Sequence, residues 1–417
     1  MNTMKPQEPA LLVALLLYGL FSAPAPQQIG LAELAIALSL IVASGLRQPL
    51  ALASGALLTS QDARVYELTG CIAFQWLLWA PLLRGAALDW EMRDILRDIV
   101  PMLYLFLPVL LTRRLHHLPH RAVTMLSIGL ASAGAIFVIR WWVNAGWAFG
   151  AIGHRALEEG PYYLLNSPAV LFAAIWLPIA AARLLWPVLG KPALGRPEPG
   201  RHELARILTA TAALILTATA ALILAALAGT VHRMALALVV VSGLIFIAWS
   251  IRRSPWPAAL TLAGLAVLSL LPDGPLIGAF ELIMAKSQQV GWNERFNEAN
   301  AVLVQIDRSV TSLLLGDGWG ALVANPAVGG WRVSYTHSFA SYLLLKTGVL
   351  GTLAMLCWLA SLTPAAITLV RRDLPLALAL LPPLLGGLLL HTSFKYLCFG
   401  LLLTLMVVAS EREADST

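Results

Sequence analysis

His337 is the residue of this sequence best placed for acid–base chemistry. It closes a polar stretch, Trp331-Arg332-Val333-Ser334-Tyr335-Thr336, and precedes an apolar segment that begins near Phe339. Histidine has an unperturbed pKa of about 6.5, so it can take a proton from a hydroxyl at working pH. A lone histidine is often structural instead. Because this one lies at an interface and close to arginines, we predict that it is catalytic.

Three arginines in polar segments are further candidate functional residues, because ionisable groups at the depth of a membrane interface are functional candidates by default. Arg295 lies in the same polar region as His337. Arg233 ends a tight turn, Gly229-Thr230-Val231-His232-Arg233, that divides one long apolar run into two. Arg155 lies beside aromatic residues that favour a membrane interface. Each of the last two has a simpler alternative: Arg233 as a contact to lipid phosphate, and Arg155 as the ion-pair partner of a nearby glutamate.

Two elements of this polar region are predicted to position Arg295 and His337. Residues 294–304 have helical periodicity, and an amphipathic helix is the simplest interpretation. Four of its side chains are predicted to face the membrane: Phe296, Ala299, Val302 and Leu303. Arg295 and Glu298 are predicted to lie on another face. The turn Leu315-Gly316-Asp317-Gly318-Trp319-Gly320 follows, and its glycines would let backbone amides approach a ligand closely.

A second charged loop, residues 84–97, carries two further arginines. Asp89, Arg93 and Arg97 are spaced four residues apart and would line one face of a helix. We interpret Arg93 and Arg97 as candidate accessory phosphate ligands, with a solvated turn held by internal ion pairs as the alternative. Asp89 and Glu91 could instead hold a divalent ion. Two carboxylates are a weak metal signal, so we predict no metal site and expect both acids to pair with Arg93 and Arg97.

The rest of the sequence is typical of a membrane protein. Its 417 residues are 59% hydrophobic and 12% charged, and the mean hydropathy is +0.78. Apolar windows of roughly 20 residues, the length that spans a bilayer, recur about twelve times, and residues 48–59 could re-enter the membrane. We predict an all-α polytopic protein, with one transmembrane domain over residues 1–417. A large external loop with short helices is predicted within it, at residues 272–337.

The distribution of Lys and Arg predicts how the chain is oriented. Basic clusters lie at residues 113–121, 191–206, 252–253 and 371–372. With twelve spans they fall on one side together with both termini, and that side should be the cytoplasm. The net charge of +6 reflects this asymmetry and does not indicate binding to nucleic acid. The three cysteines lie in apolar segments and are interpreted as packing residues.

The order of these features resembles the O-antigen ligase and polymerase superfamily of bacterial envelope enzymes. Its members have a many-span membrane domain with a large late external loop, in which an arginine, a glycine-rich turn and a histidine follow one another. Here these are Arg295, Gly316-Asp317-Gly318-Trp319-Gly320 and His337, followed by Leu344-Leu345-Lys346-Thr347-Gly348-Val349-Leu350-Gly351. Arg233 matches an arginine that family members carry between two middle spans.

The resemblance implies a GT-C-like membrane glycosyltransferase. Such an enzyme would transfer O-antigen polysaccharide from undecaprenyl pyrophosphate to a hydroxyl of the lipid A-core oligosaccharide, with inversion and without a metal or other cofactor. It would lie in the bacterial inner membrane, in contact with lipid and with its active site facing the periplasm. His337 would be the base, and Arg233, Arg295 and Arg155 would bind the pyrophosphate.

Two alternatives to a ligase follow from the sequence. Family members often have Asn after the histidine, where this chain has Ser338, and an aromatic residue where it has Ala299. The motifs therefore leave open a polysaccharide polymerase of the same superfamily. A transporter or lipid flippase is more distant, because transporters usually place their charges near the membrane midplane and often contain internal repeats.

Overall fold

The computed structural model is built almost entirely of α-helices. It describes residues 7–23, 30–117, 119–149, 152, 162–189, 201–251, 281, 284, 293–389 and 392–412. The α-helices of these ranges are α1 (Gln7–Phe21), α2 (Leu31–Ser44), α3 (Arg47–Ser54), α4 (Val65–Ala87), α5 (Met92–Leu105), α6 (Leu107–Leu115), α7 (Pro119–Asn144), α8 (Pro168–Leu189), α9 (Arg201–Gly229), α10 (Arg233–Ser250), α11 (Asn293–Ile306), α12 (Val310–Leu315), α13 (Phe339–Ser361), α14 (Thr363–Arg372), α15 (Leu374–Leu389) and α16 (Leu397–Ser410). Between α12 and α13, the strands β1 (Val323–Ala324) and β2 (Arg332–Val333) form a short antiparallel hairpin.

The chain packs as two compact units. The first comprises Met1–Leu130, Val290–Ala377 and Pro383–Thr417, and the second comprises Ala131–Gln289 and Leu378–Pro382. His337, Arg295 and the 84–97 loop belong to the first unit, and Arg233 belongs to the second. The geometry around His337 is therefore that of the first unit alone.

Long apolar helices confirm the predicted all-α membrane class. Six candidates in the described ranges could cross a bilayer: Met92–Leu115, Pro119–Asn144, Pro168–Leu185, Ala205–Gly229, Arg233–Ser250 and Phe339–Arg372. Helices α2 and α3 form a seventh, bent by 93°, which is either a broken span or a re-entrant loop. Helix α3 overlaps residues 48–59, the segment for which re-entry was considered. Residues 256–271, one of the apolar windows counted above, lie outside the described residues, as do all but residues 281 and 284 of the first part of the predicted loop, 272–292.

The backbone of the glycine-rich turn after α12 approaches the backbone of α4 closely. Gly316, Gly318 and Gly320 have φ angles of 71°, 82° and 88°, a region that favours glycine. A Cβ atom on Gly318 would lie 2.3 Å from the amide nitrogen of Gly85. Only a residue without a side chain fits between the turn and the helix.

This turn supplies hydrogen bonds that a broken helix lacks. Helix α13 is interrupted at Gly348, whose φ of 61° and ψ of −166° are not helical. An interrupted helix leaves carbonyl groups without intrahelical donors. The Asp317 amide donates to the Leu345 carbonyl at 2.8 Å, and the Gly318 amide donates to the Lys346 carbonyl at 3.1 Å. The prediction that these amides approach a ligand is wrong, because protein carbonyls accept their hydrogen bonds.

Trp319 completes a second interrupted helix. Pro81 lies inside α4 and has no amide hydrogen, so the Leu77 carbonyl one turn earlier loses its helical donor. The Trp319 indole N–H donates to that carbonyl at 2.9 Å. The Trp319 backbone amide also donates to the Pro81 carbonyl at 3.0 Å. The glycine-rich turn, α4 and α13 therefore share one hydrogen-bond system. This system fixes the point from which the chain continues into the hairpin and on to His337.

We predict that Gly318→Ala will destabilise the protein by about 2–4 kcal/mol, because it adds a steric clash to an unfavourable φ. The measurement is thermal unfolding of the purified full-length protein in detergent. Gly330→Ala is the matched control, since Gly330 has a φ of 80° but no atom lies within 4 Å of the place that a Cβ would occupy there. Equal losses in the two variants would contradict a close-packed turn.

Candidate active site

His337 is paired with a buried carboxylate. Its Nδ1 atom lies 3.0 Å from Oε1 of Glu298 and 3.3 Å from Oε2. Its backbone amide donates to Glu298 Oε2 at 2.8 Å. The Glu298 side chain is 1% exposed and the His337 side chain is 39% exposed. The Nδ1 edge of the imidazole is thus fixed by protein, while part of the ring remains accessible to a ligand.

Glu298 is held by a third donor as well. The side-chain amide of Asn325 donates to its Oε1 atom, and Asn325 is itself fully buried. Burial raises the pKa of the Glu298 carboxyl, but the hydrogen bonds from the His337 side chain and backbone and from Asn325 outweigh it and place the pKa below its ordinary value. Glu298 is therefore ionised throughout the neutral pH range. Its pairing stabilises the fold above the ordinary pKa and is lost as the pH falls through the lowered one.

Packing of α11 brings Glu298 to this position. Val302 and Ile306 on α11 form a buried cluster with Ala321, Val323 and Leu345. Glu298 lies one turn before Val302 and so shares its buried face. The predicted helix is confirmed, but its predicted faces are partly wrong: Val302 is buried within protein, whereas Phe296 and Leu303 are exposed. An acidic residue belongs to the inner face because donors from the hairpin and from His337 compensate its charge.

The β1–β2 hairpin and the start of α13 fix the other half of the pair. Asn325 follows β1, and its backbone amide donates to the Trp331 carbonyl at 3.0 Å across the hairpin. Ser338 caps α13, accepting from the Ser341 amide at 3.1 Å. His337 directly precedes this cap. Its backbone is therefore held between a hairpin and a helix N-terminus.

This arrangement determines which ring nitrogen is available for chemistry. An ionised carboxylate can only accept hydrogen bonds, so Nδ1 of His337 carries a hydrogen. In neutral His337 the lone pair is then on Nε2, which can take a proton from a hydroxyl. The Glu298 charge would stabilise the imidazolium that forms. The same division of roles operates where a buried carboxylate orients a catalytic histidine.

Arg295 and Arg97 lie in the same unit as this pair, in different surroundings. Arg295 is half-buried on α11, one turn before Glu298. Arg97 forms an ion pair with Asp94, with 2.8 Å between Nη2 and Oδ1.

The predicted line of Asp89, Arg93 and Arg97 along one helical face is wrong. Asp89 has a φ of 56°, and α5 begins only at Met92. Arg93 is exposed on the first turn of α5. The pairing expected for Asp89 and Glu91 is not found among the described residues, where Arg97 pairs with Asp94 instead.

Arg233, a further predicted phosphate ligand, belongs to the second unit. Arg233 is the first residue of α10, after a turn in which Val231 has a φ of 52°. In the same turn, the Nε2 atom of His232 lies 2.7 Å from the Oδ1 atom of Asn166. The predicted tight turn between two spans is confirmed. Arg155 lies outside the described residues.

Sequence reasoning missed a buried ionic network beneath the glycine-rich turn. Asp98 on α5 accepts from Lys346 Nζ at 2.5 Å, from the Tyr342 hydroxyl at 3.1 Å and from the Gly320 amide at 2.9 Å. Asp98 and Lys346 are 1% and 0% exposed. The available signal was a lysine within an apolar segment, which requires a partner inside the protein. This network holds the glycine-rich turn in place. Its charged groups are buried, so it offers no accessible reactive group of its own.

Comparisons with known proteins do not assign a family. No protein-family model matches this sequence, and no curated protein matches it. The described residues contain no group of three or more His, Cys, Asp or Glu side chains arranged to hold a metal ion.

We predict that Glu298→Gln will lower the free energy of unfolding by about 1–3 kcal/mol. The Glu298 carboxylate accepts three N–H donors, whereas the glutamine amide has one acceptor oxygen and brings a competing NH₂ group. The measurement is thermal unfolding in detergent at neutral pH. Asp307→Asn, which changes an exposed acid just after α11, is the control and should have no effect. Identical unfolding of both variants would show that the donors are not bonded to Glu298.

Proposed function

We propose that this protein is an inverting glycosyltransferase of the O-antigen ligase type. It would transfer O-antigen polysaccharide from undecaprenyl pyrophosphate to a hydroxyl of the lipid A-core oligosaccharide. The observation that carries the proposal is the pairing of accessible His337 with buried, ionised Glu298. Such a pair is suited to deprotonating a hydroxyl. The late position of His337, after an arginine and a glycine-rich turn, is the sequence feature that supports this particular acceptor chemistry.

Each proposed role follows from the charge changes of the reaction. The acceptor hydroxyl gives its proton to Nε2 of His337 as its oxygen bonds to the anomeric carbon. The bond between that carbon and the pyrophosphate oxygen breaks, and the leaving undecaprenyl pyrophosphate carries the electron pair. Arg295, Arg233 and Arg155 would hold this charge, with Arg93 and Arg97 as accessory residues. Preorganised positive charge at a leaving group is often the largest catalytic contribution.

The proposed setting is the bacterial inner membrane. About twelve spans of roughly 20 residues would place both termini in the cytoplasm and the loop at residues 272–337 in the periplasm. Three shorter apolar helices, α1, α15 and α16, support more spans than the longest helices alone provide. A periplasmic site has no nucleotide supply, and an already activated lipid-linked donor requires none.

His337→Ala should reduce transfer by roughly 10²–10⁴-fold, the usual cost of losing a general base. The assay is turnover of the purified protein with lipid-linked glycan, with and without lipid A-core. His117→Ala removes an exposed histidine just after α6 and is the matched control. Wild-type product that requires lipid A-core supports a ligase, whereas extended lipid-linked glycan without it indicates a polymerase. Near-normal turnover by His337→Ala would exclude His337 as the base.

Transfer should also be independent of divalent metal. Arginines stay charged and can neutralise the leaving pyrophosphate without an ion that competes for the same oxygens. Turnover in excess EDTA is therefore expected to equal turnover without chelator. Activity that disappears with EDTA and returns with magnesium or manganese would contradict the arginine mechanism.

A further inference from the structure

A lysine next to the His337 site has no role in the mechanism described so far. Lys395 ends a short 3₁₀ turn, Thr392–Lys395, which is separated from α16 by Tyr396 alone. This turn packs against the first turn of α13: the Phe394 ring lies 4.8 Å from the Phe339 ring. Helix α13 begins two residues after His337. Lys395 is therefore positioned at the same end of α13 as the proposed base.

The immediate contact of Lys395 is aromatic rather than acidic. Its Nζ atom lies 3.5 Å from the centre of the Tyr342 ring, close enough for a cation–π interaction. The Tyr342 hydroxyl donates to Asp98. Lys395 as a residue is half-buried.

Among the described residues, the acids that act on Lys395 electrostatically or lie near it are already paired with other cations. Asp98 is paired with Lys346, and Asp94 is paired with Arg97. Within the described part of the chain, no carboxylate lies at ion-pair distance from Lys395. Burial lowers its pKa to about 7; Asp98 opposes this shift, while the positive charges of Lys346 and Arg97 add to it. Among the described residues, the Lys395 amine therefore has no counter-ion.

An anionic ligand would supply the missing charge. A phosphate can accept hydrogen bonds from the ammonium group and would favour its charged form. The cation–π contact offsets only part of the free-energy cost of removing a charged lysine from water. A purely structural residue here would be expected to be apolar, because the turn already packs through Phe394. The presence of a lysine at this position instead points to a ligand.

We propose that Lys395 is a phosphate-binding residue of the His337 site and that its ligand is the pyrophosphate end of the polyprenyl carrier. The inference rests on the proposed function for the identity of the carrier. It adds a cation on the turn between α15 and α16 to the arginines considered above. Lys395 would hold the donor close to the first turn of α13, where His337 receives the acceptor proton.

The test is equilibrium binding of undecaprenyl pyrophosphate to the full-length protein in detergent, at about pH 6 and about pH 9, on either side of the lysine pKa. Lys395→Met should weaken binding about tenfold or more at the lower pH and have little effect at the higher one, where the wild-type lysine is largely neutral before binding. Lys395→Arg should retain tight binding at both. Every other ionisable group is common to the wild type and the variants, so ratios of affinity between them at each pH isolate the contribution of Lys395.

Two controls make the outcome decisive. Arg308→Met removes an exposed cation of the same unit, after α11, and should leave binding unchanged. Phosphatidylglycerol replaces undecaprenyl pyrophosphate in a parallel titration. Should Lys395→Met not fold, a constant ratio between Lys395→Arg and wild type at the two pH values would overturn the proposal, and a ratio that favours Arg at the higher pH would support it.

The results separate this inference from the proposed function. Wild-type binding with no difference between Lys395→Met and wild type would overturn the role of Lys395 and leave the glycosyltransferase proposal standing. A Lys395 effect seen only with phosphatidylglycerol would overturn the assignment to the carrier. Absence of any undecaprenyl pyrophosphate binding by the wild type would overturn both proposals.

Discussion

The Glu298 carboxylate is the group on which the site depends. A buried negative charge is tolerated only where donors surround it, and here all three donors come from other segments: the Asn325 side chain, the His337 backbone and the His337 ring. Each bond ties α11 to the segment between α12 and α13, most of which has no regular secondary structure. One electrostatic requirement therefore sets the position of the hairpin, the start of α13 and the orientation of the imidazole.

The same accounting of hydrogen bonds explains why the loop is held against the helices. In an apolar environment every backbone polar group needs a partner within the protein. Pro81 and Gly348 each break a helical ladder, and the loop supplies the missing donors from Trp319, Asp317 and Gly318. The irregular helices and the irregular loop satisfy each other. Glycine at three alternate positions is the condition for this fit, because the backbones must almost touch.

The sequence predicts well what depends on neighbouring residues. Apolar windows predicted the long helices, the periodicity of residues 294–304 predicted α11, and the break at 229–233 predicted a turn. It could not show that Glu298 contacts His337, 39 residues away, or that Asp98 contacts Lys346, 248 residues away. Amphipathic analysis assigns charged side chains to the outer face. Glu298 is an exception because tertiary packing supplies its donors, and no local pattern encodes that compensation.

The central claim is that Glu298 holds His337 with its hydrogen on Nδ1, leaving Nε2 as the base. Nitrogen-15 NMR of the histidine-labelled protein reports this tautomer directly, with the His337 signals identified by their loss in His337→Gln. The account predicts that neutral His337 has a protonated Nδ1 and an unprotonated Nε2. A neutral His337 with its hydrogen on Nε2 would contradict it, because Glu298 would then have no ring donor and the lone pair would face the carboxylate.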